Sequence, residues 1–285
     1  MGLFHAIPYL TDPHNHFLRQ IWQRSPLVLV HGAFSNHNTN WGFVKPLLEQ
    51  QFTVYAIARR GRGETDATEG HSLDDESMDV VTLIQAIDEP IFLLGHSYGA
   101  QVALAAANKV PNRVLKLVLY EAPYPQALSK EALTQLEALV QSDCWEDFAI
   151  TFFRDVLFVP VKELDELQAT DLWSPIIADA KATLGDLRAM VRYSFKADCF
   201  RDLAIPVLLQ IGSESPRDLY VTDAIAAVLP DARIEKPGLS KLGIMQTSRL
   251  QSHGKETLGV GWLLTNTDQK GNLNSRETGL DGVHS

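Results

Sequence analysis

Short apolar runs and longer amphipathic stretches take turns along the first half of the chain. The runs at residues 26 to 32 (PLVLVHG), 52 to 58 (FTVYAIA), 90 to 96 (PIFLLGH), 114 to 122 (VLKLVLYEA) and 205 to 212 (IPVLLQIG) are β-branched or Leu-rich and bounded by Gly, Pro or charge. That pattern predicts strands. Apolar residues fall on both parities, so both strand faces are buried, as in a parallel sheet covered by helices. Between the runs, WGFVKPLLEQ, SLDDESMDVVTLIQAID and YGAQVALAAANKV carry helical spacing. Ser72, followed by Asp74, Asp75 and Glu76, supplies an N-cap and negative charge at the positive end of a helix. Strand and helix in alternation predict an α/β protein with a doubly wound, mostly parallel sheet.

Residues 124–200 break the rhythm. Four helical patterns follow one another there with no strand between them, which predicts an all-helical insertion over one edge of the sheet. The expected division is a core of residues 1–123 and 201–240, a helical cap of residues 124–200 and an atypical tail of residues 241–285. Trp145, Phe148, Phe152, Phe153 and Trp173 in the insertion are candidates to line a pocket. At helical spacing, most such residues are plain packing between cap and core.

Composition narrows the partners. The chain has 285 residues, 25 basic against 35 acidic, and a formal charge of −10. That balance argues against nucleic acid or an anionic membrane surface. No apolar run reaches the roughly 18 residues of a membrane span. Cys144 and Cys199 are too few for a disulfide framework. The opening MGLFHAIPYL lacks a basic start and a long apolar core, so the expected location is cytoplasmic. His5, His14 and His16 have no Cys or Asp partners at metal-ligand spacing. No phosphate-binding glycine motif follows a strand, so neither a metal nor a cofactor is expected.

The chemistry concentrates at Gly95-His96-Ser97-Tyr98-Gly99, where an apolar strand turns into a small-residue helix. A serine whose Oγ projects above the sheet sits on a sharp, strained turn. A side chain two residues to either side would strike the neighbouring strand or helix, so glycine is needed at both places. The following helix aims its N-terminal N–H groups at the chemistry. In this strand-to-helix context the G-x-S-x-G string reads as a nucleophile elbow.

Together with LVLVHGAF, ARRGRGET, LVLYEAP and VLLQIGSES, this motif resembles the α/β-hydrolase superfamily over residues 26 to about 237. The resemblance implies the α/β-hydrolase fold, Ser97 as nucleophile, and an oxyanion hole made by the backbone N–H groups of Ala33 and Tyr98. In it His31 is structural, His96 is a packed residue rather than the base, and the RRGRG segment at 59 to 63 is a structural loop. The acid has two places. The later-strand slot falls on Ser215, with Glu214 one residue short and Asp218 nearby. The alternative, used by haloalkane dehalogenases and their relatives, falls on Glu121, 24 residues after Ser97. A buried glutamate at a strand end needs a partner, and the reading favours Glu121 over Glu214.

The base is missing from its expected slot. The family pattern places histidine just after Pro-Gly, and that slot holds Lys241, whose ordinary pKa leaves it charged near pH 7. From residue 248 to 285 only 9 of 38 residues are hydrophobic, and six of the 18 glycines lie there. Three explanations stand: His253 serves instead, the protein binds without turnover, or the reading frame is displaced near residues 236 to 240. The tail is expected to be poorly packed. The functional expectation is a serine hydrolase for a small, apolar ester or related acyl substrate, inactive if no histidine reaches Ser97. The alternative is a non-catalytic ligand-binding protein. Oligomeric state is left open.

Overall fold

The computed structural model describes residues 24–236 except residue 68, together with Trp262 and Leu263. Six parallel strands form one sheet: β1 (Pro26–Val30), β2 (Thr53–Ile57), β3 (Ile91–His96), β4 (Val114–Tyr120), β5 (Val207–Gln210) and β6 (Ala232–Glu235). Their order is β2-β1-β3-β4-β5-β6. The five strand-forming runs of the sequence all appear, each shortened by one to four residues. β1 is buried at every position, as expected of a strand covered on both faces.

Chain direction across the sheet reverses at β1, which lies between β2 and β3. In such sheets the crevice at the carboxyl ends beside the reversal is where ligands bind. Ser97 follows β3 there, and Gly32-Ala33 follows β1.

Helices α1 (Lys45–Leu48), α2 (Leu73–Ala86) and α3 (Tyr98–Lys109) cover the first half of the sheet. Ser72 caps α2 as the sequence suggests: its Oγ accepts the Asp75 N–H, and the Asp75 carboxylate accepts the Ser72 N–H. One apolar cluster joins α2 and α3 to one face of the sheet, through Val80, Ile84, Val102 and Leu104.

The insertion is helical, as expected. It holds α4 (Lys130–Gln141), α5 (Trp145–Thr151), α6 (Val161–Gln168), α7 (Trp173–Ala178) and α8 (Ala180–Arg192). A π-helical turn, Phe152–Val156, extends α5. The insertion has its own core, and the ring of Phe34, just after β1, sits inside it. A short α9 (Thr222–Ala226) precedes β6.

The tail expectation meets one departure. Trp262 and Leu263 are helical, and Leu263 is buried against Leu27, Leu29 and Trp41 on the sheet's other face. The Lys116 ammonium donates to the Trp262 carbonyl at 2.6 Å. At these two positions a poorly packed tail is not what is found, because their apolar side chains meet an apolar sheet face. Lys241, His253 and the rest of the tail lie outside the described residues. Among the described residues, no helix is long and apolar enough to cross a membrane.

Candidate functional site

The turn after β3 is held by close packing. Ser97 has φ 52° and ψ −126°, a conformation that costs a non-glycine residue energy. Its N–H donates to the Tyr120 carbonyl at 2.8 Å. A Cβ on Gly99 would overlap the carbonyl oxygens of Val30 and His31, and one on Gly95 would lie 2.6 Å from Ala100 Cα. Neither approach is possible, so each glycine is dictated by a neighbouring backbone. Gly32 lies against Ser97 from the other side, where an added Cβ would sit 3.1 Å from Ser97 Cβ.

Five non-glycine residues among those described have positive φ, and three of them, Phe34, Ser97 and Glu121, lie just beyond β1, β3 and β4. Such conformations persist only where the surroundings enforce them, and they concentrate at functional sites.

Ser97 borders a cavity with Ala33 and Tyr98. The rest of the lining is apolar, chiefly Pro123, Leu128, Phe152, Val156, Leu187, Met190 and Leu219, with Tyr124 and Tyr220. Among the described residues, no charged side chain lines it. The free volume is about 40 Å³, enough for about three waters. Of the five aromatics proposed for a pocket, Phe152 lines this cavity. Phe148 and Phe153 pack with Phe152 around the Phe34 ring at centroid distances of 5.1 to 5.3 Å. Tyr98 begins α3, so its N–H is one of those with no acceptor inside the helix.

Glu121 is 5% exposed. Its Oε1 accepts the Gly212 N–H at 3.0 Å and the Ser215 hydroxyl at 2.5 Å. The two places considered for the acid therefore meet: Ser215, in the later-strand slot, donates to the glutamate of the earlier strand. Glu214 and Asp218 are exposed.

The histidines near Ser97 are engaged elsewhere. Asn40 Oδ1 accepts the Gly32 N–H at 3.1 Å and lies 2.9 Å from His96 Nδ1. Because Gly32 N–H can only donate, that Asn40 atom is the oxygen, and His96 carries its proton on Nδ1. Burial lowers the His96 pKa to about 4. His31 is fully buried, with Nδ1 2.8 Å from the Gly32 carbonyl. Burial, with the charges of Arg59 and Arg62, puts its pKa well below the usual range.

A charged cluster beneath the 31–35 loop has no mark in the sequence beyond its arginine-glycine pattern. Arg59 donates to Glu76 at 2.6 Å, to both Asp186 oxygens at 2.8 and 3.1 Å, and to the His31 and Gly32 carbonyls at 2.9 Å. Arg62 donates to Asp186 at 2.6 Å. The Tyr98 hydroxyl donates to Glu76 at 3.1 Å. Burial would raise the Glu76 pKa, but the Arg59 charge and bonds from His71 and Arg59 hold it at about 2. His71, Glu76 and Asp186 lie close enough to suggest a metal site. The two guanidiniums already occupy those carboxylates, so the cluster suits structure better than a cation.

A parallel sheet with a strained serine on the β3–α3 turn, beside a strand-order reversal, defines the α/β-hydrolase class of protein. The alpha/beta hydrolase family model matches residues 27–242, and the chain belongs to that family. Among curated proteins it is 36% identical over 131 residues to 2-(acetamidomethylene)succinate hydrolase of Mesorhizobium japonicum, covering 43% of this chain and 45% of that one. It is 25% identical over 147 residues to epoxide hydrolase 4 of Homo sapiens, covering 50% of this chain and 41% of that one. The matches thus span less than half the length of these relatives. Among solved structures, an alpha/beta hydrolase from Sphaerobacter thermophilus has a TM-score of 0.66 at 25% identity, over 78% of this chain and 91% of that one. The enol-lactonase from Burkholderia xenovorans has a TM-score of 0.69 over 86% and 93%, and at 16% identity it speaks for the fold alone.

Proposed function

We propose that the protein is a serine hydrolase that cleaves a small, neutral, apolar ester or related acyl compound through an acyl-enzyme. Ser97 is the nucleophile, the Ala33 and Tyr98 N–H groups stabilise the oxyanion, and Glu121 is the acid that orients a histidine base; with no histidine reaching Ser97 the chain is inactive. The observation that carries this reading is Ser97, strained on its turn and bordering the apolar cavity. Burial and two hydrogen bonds favour Glu121 over the exposed Glu214 as the acid. An uncharged lining favours an uncharged acyl group, because a carboxylate there would lose water without gaining a partner. A cytoplasmic setting suits the two unpaired cysteines, Cys144 and Cys199.

Hydrolysis of p-nitrophenyl acetate by the full chain tests the reading. Turnover that disappears in Ser97→Ala supports it, and the same turnover in both contradicts it. Losing the orienting acid is expected to cost about 10⁴ in rate. Glu121→Gln should show that loss and Glu214→Gln should not; the reverse pattern moves the acid to Glu214.

One observation favours a second reading, a ligand-binding protein without turnover: Lys241 occupies the slot where the family pattern has histidine. Tight binding of an apolar ester with no turnover, in a chain whose coding frame is verified, would establish it.

A further inference from the structure

Helix α8 reaches the 31–35 loop from the insertion with one row of polar side chains. Asp179, at the N-cap of the helix, and Thr183 and Asp186 within it fall four and three apart, on one face. Thr183 Oγ1 accepts the Phe34 N–H at 2.8 Å and an Arg62 N–H at 3.3 Å, and donates to the Asp179 carbonyl at 3.0 Å. Its hydroxyl is thereby fully used. Asp179 accepts the Asn36 side-chain N–H at 2.8 Å. Asp186 holds Arg59 and Arg62, which in turn bond the carbonyls of Gly32 and Ser35 at 2.9 and 3.0 Å. The Phe34 ring is buried among Phe148, Phe152 and Phe153. The same helix lines the cavity with Leu187 and Met190.

We infer that α8 is the positioning element for the oxyanion hole, with Thr183 fixing the Ala33-Phe34 peptide against the strain of Phe34 at φ 51°. Substrate that fills the cavity presses on the helix that also sets the loop, so acyl-group fit and oxyanion geometry are coupled. This rests on the proposed roles of Ser97 and Ala33, and Thr183 acts through the loop without touching substrate.

The test uses the full chain with Thr183→Val, which keeps the shape and leaves the buried Phe34 N–H without its acceptor, and Thr183→Ser, which restores the hydroxyl. Amide exchange of the peptide covering residues 31 to 36 should speed about tenfold in Thr183→Val, the scale of one lost hydrogen bond. Fluorophosphonate labelling of Ser97 should slow by about tenfold to a hundredfold, the scale of a displaced oxyanion donor. Thr183→Ser should recover both rates. Should Thr183→Val fail to fold, Thr183→Ala, which also removes the acceptor and sets no extra methyl against the Phe34 N–H, is expected to shift both readouts the same way. Unchanged exchange and labelling in a folded variant overturn the inference. Equal labelling of wild type and Ser97→Ala would remove the nucleophile instead, while the exchange arm still decides whether α8 holds the loop.

Discussion

The two loops that meet at Ser97 are built in different ways. The 95–99 turn is held by backbone packed against it: Gly95 is forced by the helix that follows, Gly99 by the carbonyls of Val30 and His31, and the Ser97 N–H bonds β4. The 31–35 loop is held from far along the chain, by Thr183, 149 residues from Phe34, and by Asp186, 127 residues from Arg59. The first arrangement is steric, and its signature lies within five residues even though β1 and β4 supply the neighbours. The second is electrostatic and spans two layers of the molecule. A sharp turn can be specified by residue size within five positions, whereas a loop shaped by its cover needs partners that only the tertiary fold brings together.

Asp186→Ala should give the larger loss of stability. It strands the buried Arg62 guanidinium and leaves Arg59 with Glu76 alone, and breaking a buried ion pair in this way costs about 3–5 kcal/mol. Urea unfolding monitored by Trp fluorescence should show the fall in midpoint. A loss below about 1 kcal/mol, the range of exposed pairs, would mean that the cluster is wetter than the structure shows.

Gly99→Ala probes the local side. The added methyl would overlap two carbonyl oxygens of β1 and its exit, and overpacking of that kind costs about 1–3 kcal/mol. The same unfolding assay should register it, with the turn distorted and Ser97 labelling reduced. Neutral behaviour in both readouts would show that the turn yields more easily than its distances imply.

Much of this contrast maps onto what is legible in the sequence. The strand runs, the Ser72 cap, the helical insertion and the Gly95-Ser97-Gly99 turn all depend on residues within one element or its edge. Glu121 is legible as a charge at the end of an apolar strand. Its bond to Ser215, 94 residues further on, is not. Arg59 and Arg62 are visible as a structural loop, but Asp186 lies in another segment and carries no local mark. Thr183 and Phe34 escape notice for the same reason: a lone Thr in a helix and a Phe after a strand look like ordinary packing.

Acid separates the two regions further. His96, beside the turn, has its pKa lowered from 6.5 to about 4. A base held neutral by burial gives stability that is complete above its unfolded pKa and is lost as pH falls from about 6.5 to about 4. Glu76, in the cluster, is lowered from 4.5 to about 2. Its stabilisation is complete above about 4.5 and is lost as pH falls toward 2. Urea midpoints measured across pH should therefore decline in two steps. His96→Gln should shrink the upper step, which the buried His31 shares, and leave the lower one; an upper step unchanged by His96→Gln would show that His96 is solvated.

The most direct measurement is covalent labelling of the full chain by a fluorophosphonate, with the modified peptide located by mass spectrometry. One adduct is expected, on Ser97, absent in Ser97→Ala and slowed in Thr183→Val. Adducts on other residues, or labelling that persists in Ser97→Ala, would contradict it.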